Sequence, residues 1–324
     1  MSVLVCDNIS GFSRKSEYVR NFSYNFLENK IYAITGRNNA GQKNLLDLIS
    51  GRIPTSEGVV YLDGYKLING INITNRICYI DRDADFPSHL RIVEVFKLMA
   101  TVYPEWDTFY AYELLTYFEI KHRTMVGKLS PSQKSILIGI LNLASRADIT
   151  ILNMPLEDAD IKDRYDFFKF LYDHHDKYPR TFIINTSFID EIDYLVDNLI
   201  ILDRGKLIVR LKISETKQSF RYLTGKTEVL KSLITGVKVI GVEERGKMLT
   251  VCIRQKLSKD EIRKYQKYLI KISDVPIQNI VIYLITLREI KGSLLWEKWK
   301  SISMVLDTTT QPLFCYWLLP RHLA

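Results

Sequence analysis

The chain has 324 residues, 47% hydrophobic, 25% charged and 11% aromatic, with a formal net charge of +8. That balance excludes a disordered or collagen-like chain and is enough for one large domain and a smaller one. Charge is uneven, with residues 1–200 summing to −4 and residues 201–324 to +12, so the C-terminal third suits either an anionic partner or a solvated basic surface.

The opening MSVLVCDNIS has no basic leader and reads as a first β-strand, not a signal peptide. No window reaches the roughly 18 uninterrupted apolar residues that span a bilayer, so a soluble or peripheral chain is expected. Cys6, Cys78, Cys252 and Cys315 lie far apart with no C-x-x-C pair, which fits a reducing compartment without a metal site or disulfide framework.

In chain order, KIYAITG precedes the helical pattern QKNLLDLIS, DITILN precedes DRYDFFKFLYDHH, RTFIINT precedes FIDEIDYLV, and NLIILDRGKLIV closes the series. Strands alternating with helices predict an α/β fold with a covered parallel sheet. Residues 88–145 hold consecutive helical patterns without a convincing strand, which predicts an inserted helical subdomain. After about residue 215 the order becomes βαββαβ, a ferredoxin-like α+β domain over 216–290 whose last strand is expected at IQNIVIYLIT. Its second helix starts at a capping box, Ser258 with Glu261. The tail, 291–324, mixes three tryptophans with lysines; such a segment either packs on protein or lies amphipathically on a membrane.

The chemistry concentrates in Gly36 to Gly51, GRNNAGQKNLLDLISG. In a working phosphate loop, G-x-x-x-x-G-K-[ST], backbone N–H groups wrap the phosphates, the lysine reaches the β and γ oxygens, and the hydroxyl ligates Mg²⁺. Here Gly36 and Gly41 have the right spacing, and the apolar pattern Leu45, Leu46, Leu48, Ile49 sets the helix register. Gln42 therefore stands at the lysine position and Lys43 at the hydroxyl position. The backbone nest and helix N-terminus survive. Lys43 either places its charge where Mg²⁺ would sit or points to solvent.

Over nearly all of residues 1–215 the chain resembles the ATP-binding cassette (ABC) nucleotide-binding subunits. LSPSQKSILIGILNLASRADITILNMPLEDAD is similar to the family's signature, magnesium strand, catalytic glutamate and D-loop, and TFIINTSFIDEIDYLVDNLIILDRGKLI to its switch segment. RIVEVFKLMATVYPEWD resembles a subgroup of Gram-positive exporter ATPases for small hydrophobic peptides or antibiotics. The resemblance implies a P-loop cassette that takes ATP on Phe12, Gly36, Arg37, Asn38, Asn39, Ala40, Gly41, Gln42, Lys43 and Asn44, with Ser130, Gln133 and Asp160 contributing from the signature and D-loop.

The resemblance also marks what is missing. Asn153 stands at the magnesium-organising aspartate, Met154 at the general-base glutamate, Ser187 at the switch histidine and Arg82 at the magnesium-linking glutamine, while Pro131 and Ser132 replace the signature glycines. A thioether cannot take a proton from water at a useful pKa. Hydrolysis is expected to be weak or absent, ATP weakly held, and Mg²⁺ not retained.

The family implies a transmembrane permease as partner, contacted through residues 82–128. It also implies a head-to-tail homodimer or heterodimer with another cassette, at the cytoplasmic face of the membrane. The alternative is a regulatory or immunity protein that binds no nucleotide. Nucleic acid is not expected, because KMLTVCIR lacks the exposed aromatics on which RNA-binding sheets stack bases.

Overall fold

Apolar runs such as ITILN and TFIIN bury both strand faces, which is stable only inside a covered parallel sheet. They lie in one. The computed structural model describes residues 2–13, 16–67 and 75–291, and the chain divides into two compact units, Met1–Lys212 and Ile213–Ala324.

The first unit opens with β1 (Ser2–Ser13), β2 (Ser16–Leu27) and β3 (Ile31–Gly36), then α1 (Gln42–Ile49), β4 (Glu57–Leu62), β5 (Tyr65–Lys66) and β6 (Ile77–Cys78). Three helices follow, α2 (Ile92–Val102), α3 (Thr108–Tyr117) and α4 (Pro131–Ala144). The chain then runs through β7 (Ile149–Asn153), α5 (Ile161–Lys177), β8 (Thr181–Asn185), α6 (Ile189–Ile192), β9 (Asn198–Asp203) and β10 (Lys206–Lys212).

Two sheets result. The six-stranded one has the order β10-β9-β3-β8-β7-β6, parallel except for the β9–β10 hairpin. The four-stranded antiparallel one, β2-β1-β4-β5, carries three strands, β2, β4 and β5, that sequence reasoning did not pick out. Helix α1 shares one apolar core with both: Leu45, Leu46, Leu48 and Ile49 join Ile9, Phe22 and Val60 from one sheet and Ile34, Ile151 and Ile200 from the other. The buried ring of Tyr32 meets Phe26 edge-on at 4.9 Å, and its hydroxyl accepts the Leu27 N–H at 2.7 Å.

In the second unit, α7 (Ile213–Ser219) leads into β11 (Phe220–Lys226), α8 (Thr227–Leu233), β12 (Val239–Arg245), β13 (Met248–Arg254), α9 (Lys259–Lys267), β14 (Lys271–Asp274) and α10 (Ile277–Lys291). The sheet order β12-β13-β11-β14, antiparallel throughout, is that of a split βαβ unit. The capping box forms, Ser258 Oγ accepting the Glu261 N–H at 3.2 Å and Glu261 Oε2 accepting the Ser258 N–H at 2.8 Å.

One expected element changes type. IQNIVIYLIT is not the last strand but α10, and the strand is the short KISD before it. The buried positions of α10, Ile277, Ile280, Val281 and Ile285, follow the helical spacing i, i+3, i+4, i+8, which a β-branched composition hides. Tyr283 on this helix donates to Glu243 Oε1 at 2.8 Å and its hydroxyl sits 3.0 Å from that of Tyr222. The tryptophan-rich stretch from residue 292 lies outside the described residues. Among the described residues no helix is long and apolar enough to cross a membrane.

His174 on α5 is buried, stacked on Tyr110 at 4.3 Å, and neither ring nitrogen has a hydrogen-bond partner among the described residues. Burial, reinforced by Arg180 and Arg146, depresses its pKa from 6.5 to about 3. Between those values the unfolded chain binds a proton that the native state refuses, so stability falls as pH drops across that window, by ~1.4 kcal/mol per pH unit. His174→Phe keeps the ring stack. Its stability loss between pH 7 and pH 5, measured by urea unfolding, is expected to be ~2 kcal/mol smaller than that of the native sequence; equal losses would remove His174 as the cause.

Candidate functional site

The central strand β3, flanked by β8 and β9, delivers Gly36 to the carboxyl edge of the sheet, where ligand sites of open α/β sheets form. A methyl group on Gly36 would lie 2.2 Å from the Leu202 carbonyl oxygen, and one on Gly41, at φ 98°, would lie 2.2 Å from that of Tyr18. Both glycines are therefore required by their surroundings. The loop closes through Ala40 N–H on the Arg37 carbonyl at 3.1 Å and Gly205 N–H on the Ala40 carbonyl at 2.9 Å. Arg37, Asn38 and Asn39 are exposed around it, and Ala40 is buried.

Helix α1 begins at Gln42 with no side-chain cap at its N-terminus, so its first backbone N–H groups face the loop as an anion-attracting end. The four buried apolar residues fix its rotation. Gln42 folds back, its amide donating to the Arg37 carbonyl at 2.9 Å. Asn44 follows, partly exposed.

Lys43 is half exposed, but its ammonium is paired. Its ammonium donates to Asp81 Oδ2 at 2.7 Å and to Asp83 Oδ2 at 2.6 Å. Asp81 is 1% exposed, and its other oxygen accepts from Asn153 Nδ2 at 3.0 Å and from the Arg82 N–H at 2.8 Å. The Asn153 carboxamide oxygen in turn accepts from Asn185 Nδ2 at 2.7 Å, because the parallel register of β7 and β8 sets those two residues side by side. Burial pulls the Lys43 pKa down, but the hydrogen bonds to Asp81 and Asp83 outweigh it and hold the ammonium above its usual value. The same contact holds the Asp83 carboxyl below its own.

The segment carrying Asp81 is itself clamped. Asn142 on α4 accepts the Ile80 N–H at 3.1 Å and donates to the Ile80 carbonyl at 2.8 Å, while Arg52 donates to the Tyr79 carbonyl at 2.7 Å and lies over its ring at 4.1 Å. Sequence reasoning missed Asp81, Asp83, Asn142 and Asn185. The one available signal was the pair of acids flanking Arg82 in IDRDAD.

The other expected residues have local roles. Met154 directly follows β7 at φ 45°, its N–H bonded to the Asn185 carbonyl at 2.9 Å, so a thioether stands just past the strand end. Ser187 lies partly buried just past β8. Arg82 pairs with Glu157. Ser130 caps α4 in a reciprocal box with Gln133, at 3.2 Å each way, with Pro131 as the first helical residue. Asp160 caps α5, accepting the Asp163 N–H at 2.9 Å. Phe12 falls in β1 opposite Glu17, and its side chain is outside the described ones.

A divalent metal does not fit this donor set. Among the described residues no group of three or more His, Cys, Asp or Glu is placed to hold one, and most lone pairs of the buried carboxylate already accept from an ammonium, an amide and a carboxamide. The loop and the start of α1 do fit an anion. Such an anion would meet the uncapped backbone N–H groups at the start of α1, as in other loop-to-helix phosphate sites.

No protein-family model matches the chain. It is 22% identical over 205 residues to the ABC transporter ATP-binding protein YtrB of Bacillus subtilis, covering 63% of this chain and 70% of that protein. Over 285 residues it is 22% identical to the spermidine/putrescine import ATP-binding protein PotA of Fusobacterium nucleatum, covering 78% and 76% respectively. Against the molybdenum import ATP-binding protein ModC of Vibrio parahaemolyticus it is 26% identical over 195 residues, spanning about half, 52%, of that protein.

Among solved structures, the ATP-binding subunit of an ABC transporter matches with a TM-score of 0.61 at 16% identity, over 67% of this chain and 92% of that one. A dimeric cassette in a post-hydrolysis state bound to ADP and Pi matches at 0.56 and 18% identity, over 65% and 98%.

Because Asp81 is buried and Lys43 is its charged partner, the two side chains should be energetically coupled. Lys43→Ala leaves a buried carboxylate short of its cation and is expected to cost about 2–3 kcal/mol, below the usual range for a fully buried pair because Lys43 is half exposed. In an Asp81→Asn background the same change should cost ~1 kcal/mol or less. Additive losses in a double-mutant cycle of denaturant unfolding would show that the contact carries no coupling.

Proposed function

We propose, from the premise that the relatives and structural neighbours of this chain are ATP-binding cassettes of ABC transporters and that it carries their fold, that it is the ATP-binding subunit of an exporter with little or no hydrolysis at its own site. The observation that supports impairment is the Lys43–Asp81–Asn153 chain of hydrogen bonds, with Met154 next in sequence. At the strand end where the resemblance expects a metal-organising carboxylate and a general base stand a carboxamide and a thioether. Neither attracts Mg²⁺ strongly nor takes a proton from water.

ATP would rest on the Gly36–Lys43 loop, with the backbone N–H groups, Arg37 and the start of α1 facing its phosphates. Chemistry would then depend on a competent second cassette, to which this chain lends Ser130 and the N-terminus of α4. Pro131 lacks an N–H, so even that contribution is reduced. A permease would dock through residues 82–128, placing the chain at the cytoplasmic face of a membrane, and the exported substrate would be a peptide or small hydrophobic molecule.

A second reading is that the chain regulates a permease without binding nucleotide. The fold-back of Gln42 onto the Arg37 carbonyl favours it, since that amide stands in the mouth of the loop. Calorimetry with ATP separates the two. Micromolar binding supports the ATP-binding subunit, and silence at millimolar ATP supports the regulator. In a phosphate-release assay the purified chain is expected to turn over ATP on the order of 10²-fold or more slower than an intact cassette. Ordinary cassette turnover that disappears on changing residues 36–44 would defeat the impaired-site reading.

A further inference from the structure

A divalent metal normally does two things at a phosphate loop: it neutralises the polyanion and it ties the phosphates to the acidic strand end. In this chain both tasks have a covalently attached candidate. The Lys43 ammonium leaves the first turn of α1, the same turn whose N–H groups face the loop, and reaches Asp81, which is hydrogen-bonded to Asn153 at the end of β7.

The two carboxylates that hold Lys43 differ. The Asp81 side chain is 1% exposed and clamped from several sides; that of Asp83 is 70% exposed. An ion pair to a carboxylate in water is worth little, so a phosphate oxygen arriving at the loop can replace Asp83 on the ammonium while Asp81 keeps it aimed. A Mg²⁺ ion arriving with the phosphate meets a positive charge and a buried carboxylate most of whose lone pairs already accept hydrogen bonds.

We infer that Lys43, oriented by Asp81, takes the place of the divalent metal, so that the site binds nucleoside triphosphate in its metal-free form. This rests on the reading of the loop as an ATP site. It makes the loop a site for free ATP and assigns Lys43 as a specificity-determining residue, with Asp81 as the residue that positions it. Nothing in the inference requires hydrolysis.

Titration calorimetry of the full chain with ATP, once in EDTA and once in excess MgCl₂, is the test. Binding is expected in EDTA, and Mg²⁺, by sequestering the free tetra-anion, is expected to weaken the apparent Kd by about tenfold or more. Lys43→Ser restores a metal-ligating hydroxyl and removes the tethered cation, so its preference should reverse, with Mg²⁺ tightening binding. Binding by the native chain that needs Mg²⁺ would overturn this inference and leave the ATP-binding reading standing. No binding in either buffer would overturn both. The comparison of the two buffers on the unsubstituted chain decides the matter even if Lys43→Ser fails to fold.

Discussion

A carboxylate out of water must be matched by charge or hydrogen bonds, and Asp81 is the place where this chain meets that demand. Four donors converge on it: the Lys43 ammonium, the Asn153 carboxamide, the Arg82 N–H and, more distantly at 3.5 Å, the Tyr79 hydroxyl. Those donors come from α1, from the end of β7 and from the segment after β6. The Asp81 carboxylate thus ties α1 to the sheet edge.

The polar residues around the loop form a consistent set. Asparagine keeps the shape of aspartate but brings its own donor, and here that donor satisfies Asp81. Lys43 brings a charge, and that charge lies against the buried Asp81 side chain. Exchanging either alone would leave a buried polar group unpaired, the costlier condition. The same economy appears at the helix starts, where Ser130 and Asp160 each accept an otherwise orphaned backbone N–H. Their capping role accounts for these residue types without reference to nucleotide.

Rigidity is concentrated on the side of the site away from the loop. Asn142 and Arg52 hold the backbone of residues 79 and 80 by three hydrogen bonds, so Asp81 has little freedom. Asp83, two residues on, is exposed. Of the two acids that hold Lys43, one is thus shielded from water and clamped, and the other is open to solvent.

Local periodicity was enough to determine the register of the loop. Leu45, Leu46, Leu48 and Ile49 repeat on one face of a helix, and once that face is buried Gln42 and Lys43 have no freedom to exchange places. The capping box at Ser258 and the parallel strands were legible for the same reason: each depends on residues close in sequence. What Lys43 does was decided only by the tertiary structure, since its buried partner lies 38 residues away and meets it through the order of β3, β8, β7 and β6. The true last strand, KISD, was likewise set by pairing with β11, which satisfies its backbone where its own side chains give little signal. Periodicity tells which face of an element is buried; which polar groups meet there is fixed by non-local packing.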